Sequence, residues 1–271
     1  MNEAVRYRLG VIGAGVMGRA LLNAAIRAGA LDAGEVIASD VSAACRREVE
    51  GLGCVATDDN RTVVASAQHL LVAVKPPALR EVLSALREHF RDDQLVISIV
   101  AGVTLATLRE VAGDAPALVR VMPNICCTVG AGASAWAAAP GVSDEQRAFV
   151  AELLGAAGEA VEVEERLLDA VTGLSGSGPA FAALFIEALA DGGVKVGLPR
   201  AQALRLAAQT VLGAARWVLD NDGSPAQLKD LVASPGGTTI AGVAALEARA
   251  LRAAVIEAVV AATERARELG G

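Results

Sequence analysis

The run Leu9-Gly10-Val11-Ile12-Gly13-Ala14-Gly15-Val16-Met17-Gly18 constrains this chain more than any other stretch. It reads as a strand that ends in a glycine turn and opens straight into a helix. Gly13, Gly15 and Gly18 make the pattern GxGxxG. In such a turn the first glycine allows the tight bend, the second lets the backbone approach a ligand, and the third lets helix pack close on strand. Free amides at the helix N-terminus then face an anion. Asp40 ends the next expected strand, at the spacing of about 20 residues where a carboxylate meets a ribose hydroxyl. Gly13, Ala14, Gly15, Val16, Met17 and Gly18 are therefore expected to hold a dinucleotide pyrophosphate.

The rest of the first half repeats that grammar. Short apolar runs at 8–12, 35–39, 54–56, 69–74, 95–98 and 118–121 read as strands. Between them, stretches such as 19–28 and 78–90 carry apolar residues at three- and four-residue spacing. Alternating strands and helices imply βαβ units and a parallel sheet. Two weaker strands, 134–137 and 160–163, flank a helix that opens on the capping-box pattern Ser143-x-x-Gln146. From about Glu164 the strand pattern stops, leaving helix signals punctuated by Pro179, Pro199, Pro225 and Pro235. The expected organisation is α/β: a Rossmann dinucleotide-binding domain over 1–163 and an all-α domain over 164–271 for substrate binding and dimerisation. Residues 179–196 are apolar nearly all round, with Glu187, Asp191 and Lys195 on one polar stripe. Covering such a helix calls for a second copy of the chain. Gly192-Gly193 inside it suggests that a partner helix packs close there.

Composition removes several alternatives. Hydrophobic residues make up 54 % of the chain and aromatics 3 %, so the core must be aliphatic. A net charge of −7 leaves no basic footprint for nucleic acid. The four cysteines (Cys45, Cys54, Cys126, Cys127) form no CxxC pair and have no histidine at zinc spacing, so no metal site is expected. They read as free thiols in a reducing cytoplasm. The N-terminus lacks a signal-peptide layout. The longest uncharged stretches, near 121–143 and 170–186, are broken by Gly, Pro and Ser and do not read as membrane spans. His69 and His89 read as structural.

Further candidates follow from the rule that open α/β sheets bind ligands beyond the carboxyl ends of their strands. Ala73, Val74 and Lys75 follow the fourth strand, Ala101-Gly102 the fifth and Pro123-Asn124 the sixth, and Asn60 lies just past the third. All are candidate cofactor neighbours. Asp40 favours NADH by repelling a 2′-phosphate, whereas Ser39 and Ser42 could donate to one, with Arg46-Arg47 close behind. Either NADH or NADPH remains open. In the second half, Ser234-Pro235-Gly236-Gly237-Thr238-Thr239 breaks one helix and opens another. Amides of Gly236, Gly237 and Thr238 with hydroxyls of Ser234 and Thr239 would form a carboxylate-sized nest. A plain helix–turn–helix with a threonine cap explains the same residues.

Residues 234–247, Ser-Pro-Gly-Gly-Thr-Thr-Ile-Ala-Gly-Val-Ala-Ala-Leu-Glu, resemble the signature of pyrroline-5-carboxylate reductases. So do residues 169–180, Asp-Ala-Val-Thr-Gly-Leu-Ser-Gly-Ser-Gly-Pro-Ala, and the later runs 188–195 and 197–200. The glycine turn, Ala73-Val74-Lys75-Pro76, Ala101-Gly102-Val103-Thr104 and Arg120-Val121-Met122-Pro123-Asn124 fall in matching order, so the resemblance spans essentially the whole chain. It implies NAD(P)H-dependent reduction of a cyclic imino acid to proline. It also implies a substrate carboxylate held by Ser234, Gly236 and Gly237, with Thr238 alongside, and Thr239 as the catalytic group on the ring nitrogen. An active site shared across a homodimer, and dimers that associate into decamers, are further implications. One departure is Ile125-Cys126, where the family usually has Thr-Pro, which removes a hydroxyl at position 125.

Two other readings compete. β-Hydroxyacid dehydrogenases share a similar glycine turn before a long helix but place a catalytic lysine just after it; here that position is Ala182. Alcohol oxidation needs a base, whereas an iminium already carries its proton. A non-catalytic NAD(P)-sensing dimeric module is the second, and it would have no use for the 234–239 nest.

Overall fold

The structure, a computed structural model, describes residues 6–221 and 223–270. The N-terminal residues 1–5, on which most of the signal-peptide reading rests, lie outside the described residues. Two compact units emerge: residues up to 176 together with those from 261 onward, and residues 177–260.

The first unit runs β1 (Tyr7–Ile12), α1 (Val16–Arg27), β2 (Val36–Ser39), α2 (Ala43–Glu50), β3 (Val55–Thr57), α3 (Asn60–Ser66), β4 (Ala67–Val72), α4 (Pro76–Leu86), β5 (Leu95–Ser98), α5 (Leu105–Ala112), β6 (Ala117–Met122), β7 (Gly132–Ala138), α6 (Asp144–Gly155), β8 (Gly158–Glu162) and α7 (Leu168–Val171). All eight strands read from the sequence are present, within a few residues of their expected bounds. They form one sheet in the order β3-β2-β1-β4-β5-β6-β7-β8. Strand order reverses between β1 and β4, which opens a crevice at their carboxyl ends. Every pair is parallel except β6–β7. The β6–β7 link holds only one 3₁₀ turn, Ile125–Val129, too short for the crossover of a dozen or more residues that a parallel return needs.

Strand side chains alternate between faces. Leu9, Val11 and Leu71 pack with Leu21 and Leu22 of α1 and Leu153 of α6. Ile12, Leu70 and Val72 pack with Val63 of α3, Leu83 of α4 and Leu108 of α5 on the other side. The expected capping box starts α6: Gln146 N–H donates to Ser143 Oγ at 3.2 Å and Ser143 N–H to Gln146 Oε1 at 3.0 Å. His69 lies in β4, buried and stacked on Phe149 at 4.0 Å between ring centroids. All four cysteines are free thiols.

Residues 165–176 are helical, as expected beyond Glu164, yet they pack within the sheet unit. Arg120 on β6, only 8 % exposed, reaches Glu165 at 3.3 Å and Asp169 at 3.4 Å. Glu165 Oε1 also accepts the Leu105 N–H at 2.6 Å, so one buried guanidinium ties α5 and α7 to the sheet.

The second unit holds α8 (Gly178–Lys195), α9 (Arg200–Asp220), α10 (Pro225–Val232), α11 (Thr238–Glu247) and the start of α12 (Leu251–Gly270). Its buried apolar cluster is three alanines, Ala190, Ala203 and Ala207. The tight spot at Gly193 is filled from within the chain: an added Cβ would meet Ala203 Cβ at 3.1 Å and Leu198 at 3.3 Å. Gly192 has open space instead. The close approach expected of a partner helix at the glycine pair is thus made, at Gly193, by α9. By length and composition alone, Glu165–Lys195 is one helical stretch long and apolar enough to cross a membrane.

Candidate functional site

The glycine turn folds as its sequence requires. Gly13 sits at φ +94, and a Cβ there would lie 2.9 Å from the Ala73 carbonyl, so the turn presses directly on the segment leaving β4. Gly18 is equally confined, its would-be Cβ 2.6 Å from Gly13 O. Gly13 N–H donates to Ser39 O at 2.8 Å, tying the turn to the end of β2. No side chain caps α1 and its first turn holds no carboxylate, which leaves a helix N-terminus suited to an anion.

A cleft of about 500 Å³ opens above this turn. It gathers Gly13, Gly15, Ser39, Asp40, Asn60, Ala73, Val74 and Lys75 from the candidates. Val41, Cys45, Ala78 and Val82 also line it. Sequence reasoning missed these four, since apolar residues on α2, on α4 and in the loop after β2 carry no motif signal. An apolar wall beside a few polar groups suits a flat heteroaromatic ring.

Tertiary contacts revise several roles. Ser39 is 1 % exposed and its hydroxyl donates inward to Asn60 Oδ1 at 2.6 Å, so it cannot serve a phosphate as expected. Ser42 keeps its proton, because its oxygen only accepts, from Cys45 N–H at 3.5 Å. Both Asp40 oxygens are engaged, Oδ2 by Ala14 N–H and Oδ1 by Ser42 N–H, each at 2.8 Å. Arg46 turns back onto the Asp40 and Val41 carbonyls. Lys75 is exposed and makes no ion pair among the described residues. Gly102 sits at φ +74, where an added Cβ would lie 3.5 Å from Leu269 O at the end of α12, and Ala101 is exposed beside it. Pro123 is buried. Asn124 is a structural knot: its Nδ2 donates to Ser175 O at 3.0 Å, while its Oδ1 accepts from Cys126 and Ala133 N–H, both at 3.2 Å.

In the helical unit, the 234–239 loop joins α10 to α11 as expected, with a different division of labour. Gly237 N–H donates to Ser234 O at 3.0 Å, so its amide is not free for a ligand. A Cβ at Gly237 would lie 2.2 Å from Ser234 Oγ, so the glycine makes room for that hydroxyl. Gly236, at φ +64, takes the left-handed position that the turn demands. The α11 N-cap is Gly237, not a threonine, and no side chain caps the helix. Thr238 is exposed and Thr239 half-buried. The threonine-cap explanation of this loop is therefore set aside.

A Rossmann unit with a nucleotide-sized cleft, joined in sequence to a helical unit bearing a glycine–hydroxyl loop, defines an oxidoreductase that uses a nicotinamide cofactor. The family model for NADP oxidoreductase, coenzyme F420-dependent, matches residues 8–102, and that for pyrroline-5-carboxylate reductase dimerisation matches residues 165–269. A Synechocystis sp. pyrroline-5-carboxylate reductase is 53 % identical over 212 residues, 78 % of this chain and 79 % of that one. The solved Coxiella burnetii enzyme of the same name superposes with a TM-score of 0.93 at 34 % identity, over 98 % of this chain and 99 % of that one. The Plasmodium falciparum pyrroline carboxylate reductase, solved with NADP bound, gives a TM-score of 0.86 at 31 % identity, covering 99 % of this chain and all of that one. The chain belongs to the pyrroline-5-carboxylate reductase family.

Proposed function

We propose that this chain reduces Δ1-pyrroline-5-carboxylate to L-proline with NADH or NADPH, the last step of proline biosynthesis. The observation that carries the reading is the 234–239 loop, which offers hydroxyls and amides but no acid or base. The reduced nicotinamide supplies a hydride to the C=N carbon, and the nitrogen of the iminium already bears its proton. Such a site needs to bind and orient rather than to move protons. Among the described residues the Gly236 and Thr238 amides have no acceptor, so they and the Ser234 hydroxyl hold the substrate carboxylate. Gly237 contributes by having no side chain, and Thr239 orients the ring nitrogen. Ala182, where a dehydrogenase lysine would stand, supports imine over alcohol chemistry. Gly13, Gly15, Val16, Met17 and Asp40 hold the cofactor, with Ala73, Val74, Lys75 and Asn60 bordering it.

The enzyme is a homodimer at minimum, with a decamer of such dimers open to it, and it acts in the cytoplasm without nucleic acid or membrane. The exposed apolar face of α8 supports the dimer, and the net charge of −7 speaks against a nucleic-acid partner. NAD(P)H should be consumed only when pyrroline-5-carboxylate is added, with proline formed in equal amount; no turnover would end the proposal. A hydrogen bond to a charged group is worth roughly 1.5–3 kcal/mol, so Thr239→Val should lower kcat/KM by about 10- to 150-fold. Thr238→Val should change it little, and equal losses at both positions would sink the substrate-site assignment.

A further inference from the structure

Ala14 stands between the first two glycines of the turn, and its backbone is gripped from both sides. Its N–H donates to Asp40 Oδ2 at 2.8 Å. Its carbonyl accepts from Arg19 Nη1, a residue one helical turn further along α1. The other guanidinium nitrogen of Arg19 pairs with Glu48 Oε2 of α2 at 2.7 Å. Asp40 is fixed in turn by the Ser42 N–H. Ala14 is 1 % exposed, so the gripped peptide itself is buried, while Asp40 also lines the cleft.

Gly15 shows the opposite environment. A Cβ added there would meet nothing within 4 Å. Its backbone, at φ −69 and ψ −171, is one that any residue adopts. One flank of the turn is thus pinned to β2, α1 and α2, and the other faces open space.

We propose that Arg19 is a positioning residue for cofactor binding. With Asp40 as the opposite jaw, it holds the Ala14 peptide so that the following amides are aimed before the pyrophosphate arrives. A loop already ordered in its bound shape loses less freedom on binding and binds more tightly. The glycine pattern assigns no role to the residue after its third glycine, so the contact emerges from the fold alone. The proposal rests on the reading that this turn holds the cofactor, and Gly15→Ala tests that reading separately.

Dissociation constants for NADH and NADPH, steady-state kinetics and melting temperature should be measured for Gly15→Ala, Arg19→Ala, Arg19→Lys and Glu48→Gln. Gly15→Ala should melt with the parent yet weaken both cofactors, because its methyl occupies the phosphate side. Arg19→Ala should raise Kd and KM for both cofactors by about 3- to 10-fold, the effect of one ordinary hydrogen bond, with kcat at saturating cofactor unchanged. Arg19→Lys, which keeps a donor, should recover part of the loss. Glu48→Gln should show a smaller rise in the same direction, and it carries the test if Arg19→Ala does not fold. Unchanged constants for Arg19→Ala or Glu48→Gln beside a weakened Gly15→Ala would overturn the positioning role and leave the site. Unchanged binding in Gly15→Ala would remove the turn as the cofactor site and the proposal with it. A loss of melting temperature and kcat with Kd unmoved would make Arg19 merely structural.

Discussion

In the sheet unit, apolar side chains on both faces of the strands are covered by helices of the same chain. Leu9, Leu71 and Leu153 on one side, and Leu70, Leu83 and Leu108 on the other, are fully buried. The helical unit draws on the same aliphatic residue types with a different outcome. Three alanines form its buried cluster, while Leu184, Leu212 and Ile256 stand 65 %, 56 % and 63 % exposed. Burying one such side chain is worth about 1.5–3 kcal/mol. The first unit collects that stabilisation from its own chain. The second must collect it from another copy, in accord with its match to a dimerisation family. The same dependence accounts for a helical stretch long and apolar enough to cross a membrane: a subunit interface makes the same demand on α8.

The largest expected effect breaks this contrast at its weak side. Leu184→Asp places a charge in the apolar face of α8, and an unpaired charge buried at an interface costs several kcal/mol. Sedimentation should show the dimer lost, and imino-acid reduction should fall by about 100-fold or more. The sheet unit should still bind NADH. A variant that stays dimeric and active would mean that α8 does not face a partner.

Acid tests the self-contained side. Burial in β4 holds the His69 imidazole down at about 4, with a smaller contribution from the Arg8 charge. Its Nδ1 has no hydrogen-bond partner to favour a proton. In the fold His69 is neutral, while the unfolded chain takes up a proton below the ordinary value of 6.5. The stability it contributes is complete above that value and is lost as pH falls toward about 4, about 3 kcal/mol in all. Urea unfolding at pH 7.5 and pH 5, compared with His69→Phe, should show the parent losing about 2 kcal/mol more than the variant. Parallel losses would mean that His69 is protonated without penalty.

A smaller effect, confined to selectivity, separates two roles of Asp40. Asp40→Asn retains an oxygen for the Ala14 N–H, gives up the bond from the Ser42 N–H and removes the charge that repels a 2′-phosphate. The NADPH-to-NADH ratio of kcat/KM should rise by about 10-fold, the equivalent of about 1.4 kcal/mol, with NADH binding preserved. Asp40→Ser should raise the ratio too, but weaken both cofactors by releasing the turn. If neither variant moves the ratio, the carboxylate serves the turn alone.

Much of the architecture was legible because its causes are local. Alternating apolar runs specify strands, and Ser143-x-x-Gln146 specifies a helix start through contacts only three residues apart. The glycine turn was legible for the same reason: Gly13 needs a positive φ whatever surrounds it. The candidate site was less legible where a role depends on the partner of a hydrogen bond. Ser39 and Asn60 both line the cleft, but the bond that turns the Ser39 hydroxyl inward spans 21 positions. Asn124, expected beside the nicotinamide, also holds Ser175, 51 residues away, a contact that no local pattern announces.

Sequence alone therefore determined the order of strands and helices, the glycine turn, the 234–239 loop and the kinship of the chain. These rest on backbone preference, on side-chain period and on runs of neighbouring residues. Tertiary structure alone decided that β7 returns antiparallel and that α9 fills the notch at Gly193. It also decided that the Gly237 amide closes its own turn and that Arg19 grips Ala14. A donor's acceptor and a cavity's occupant are set by which segments the folded chain brings within 3–4 Å of each other. No residue carries that information in its own neighbourhood.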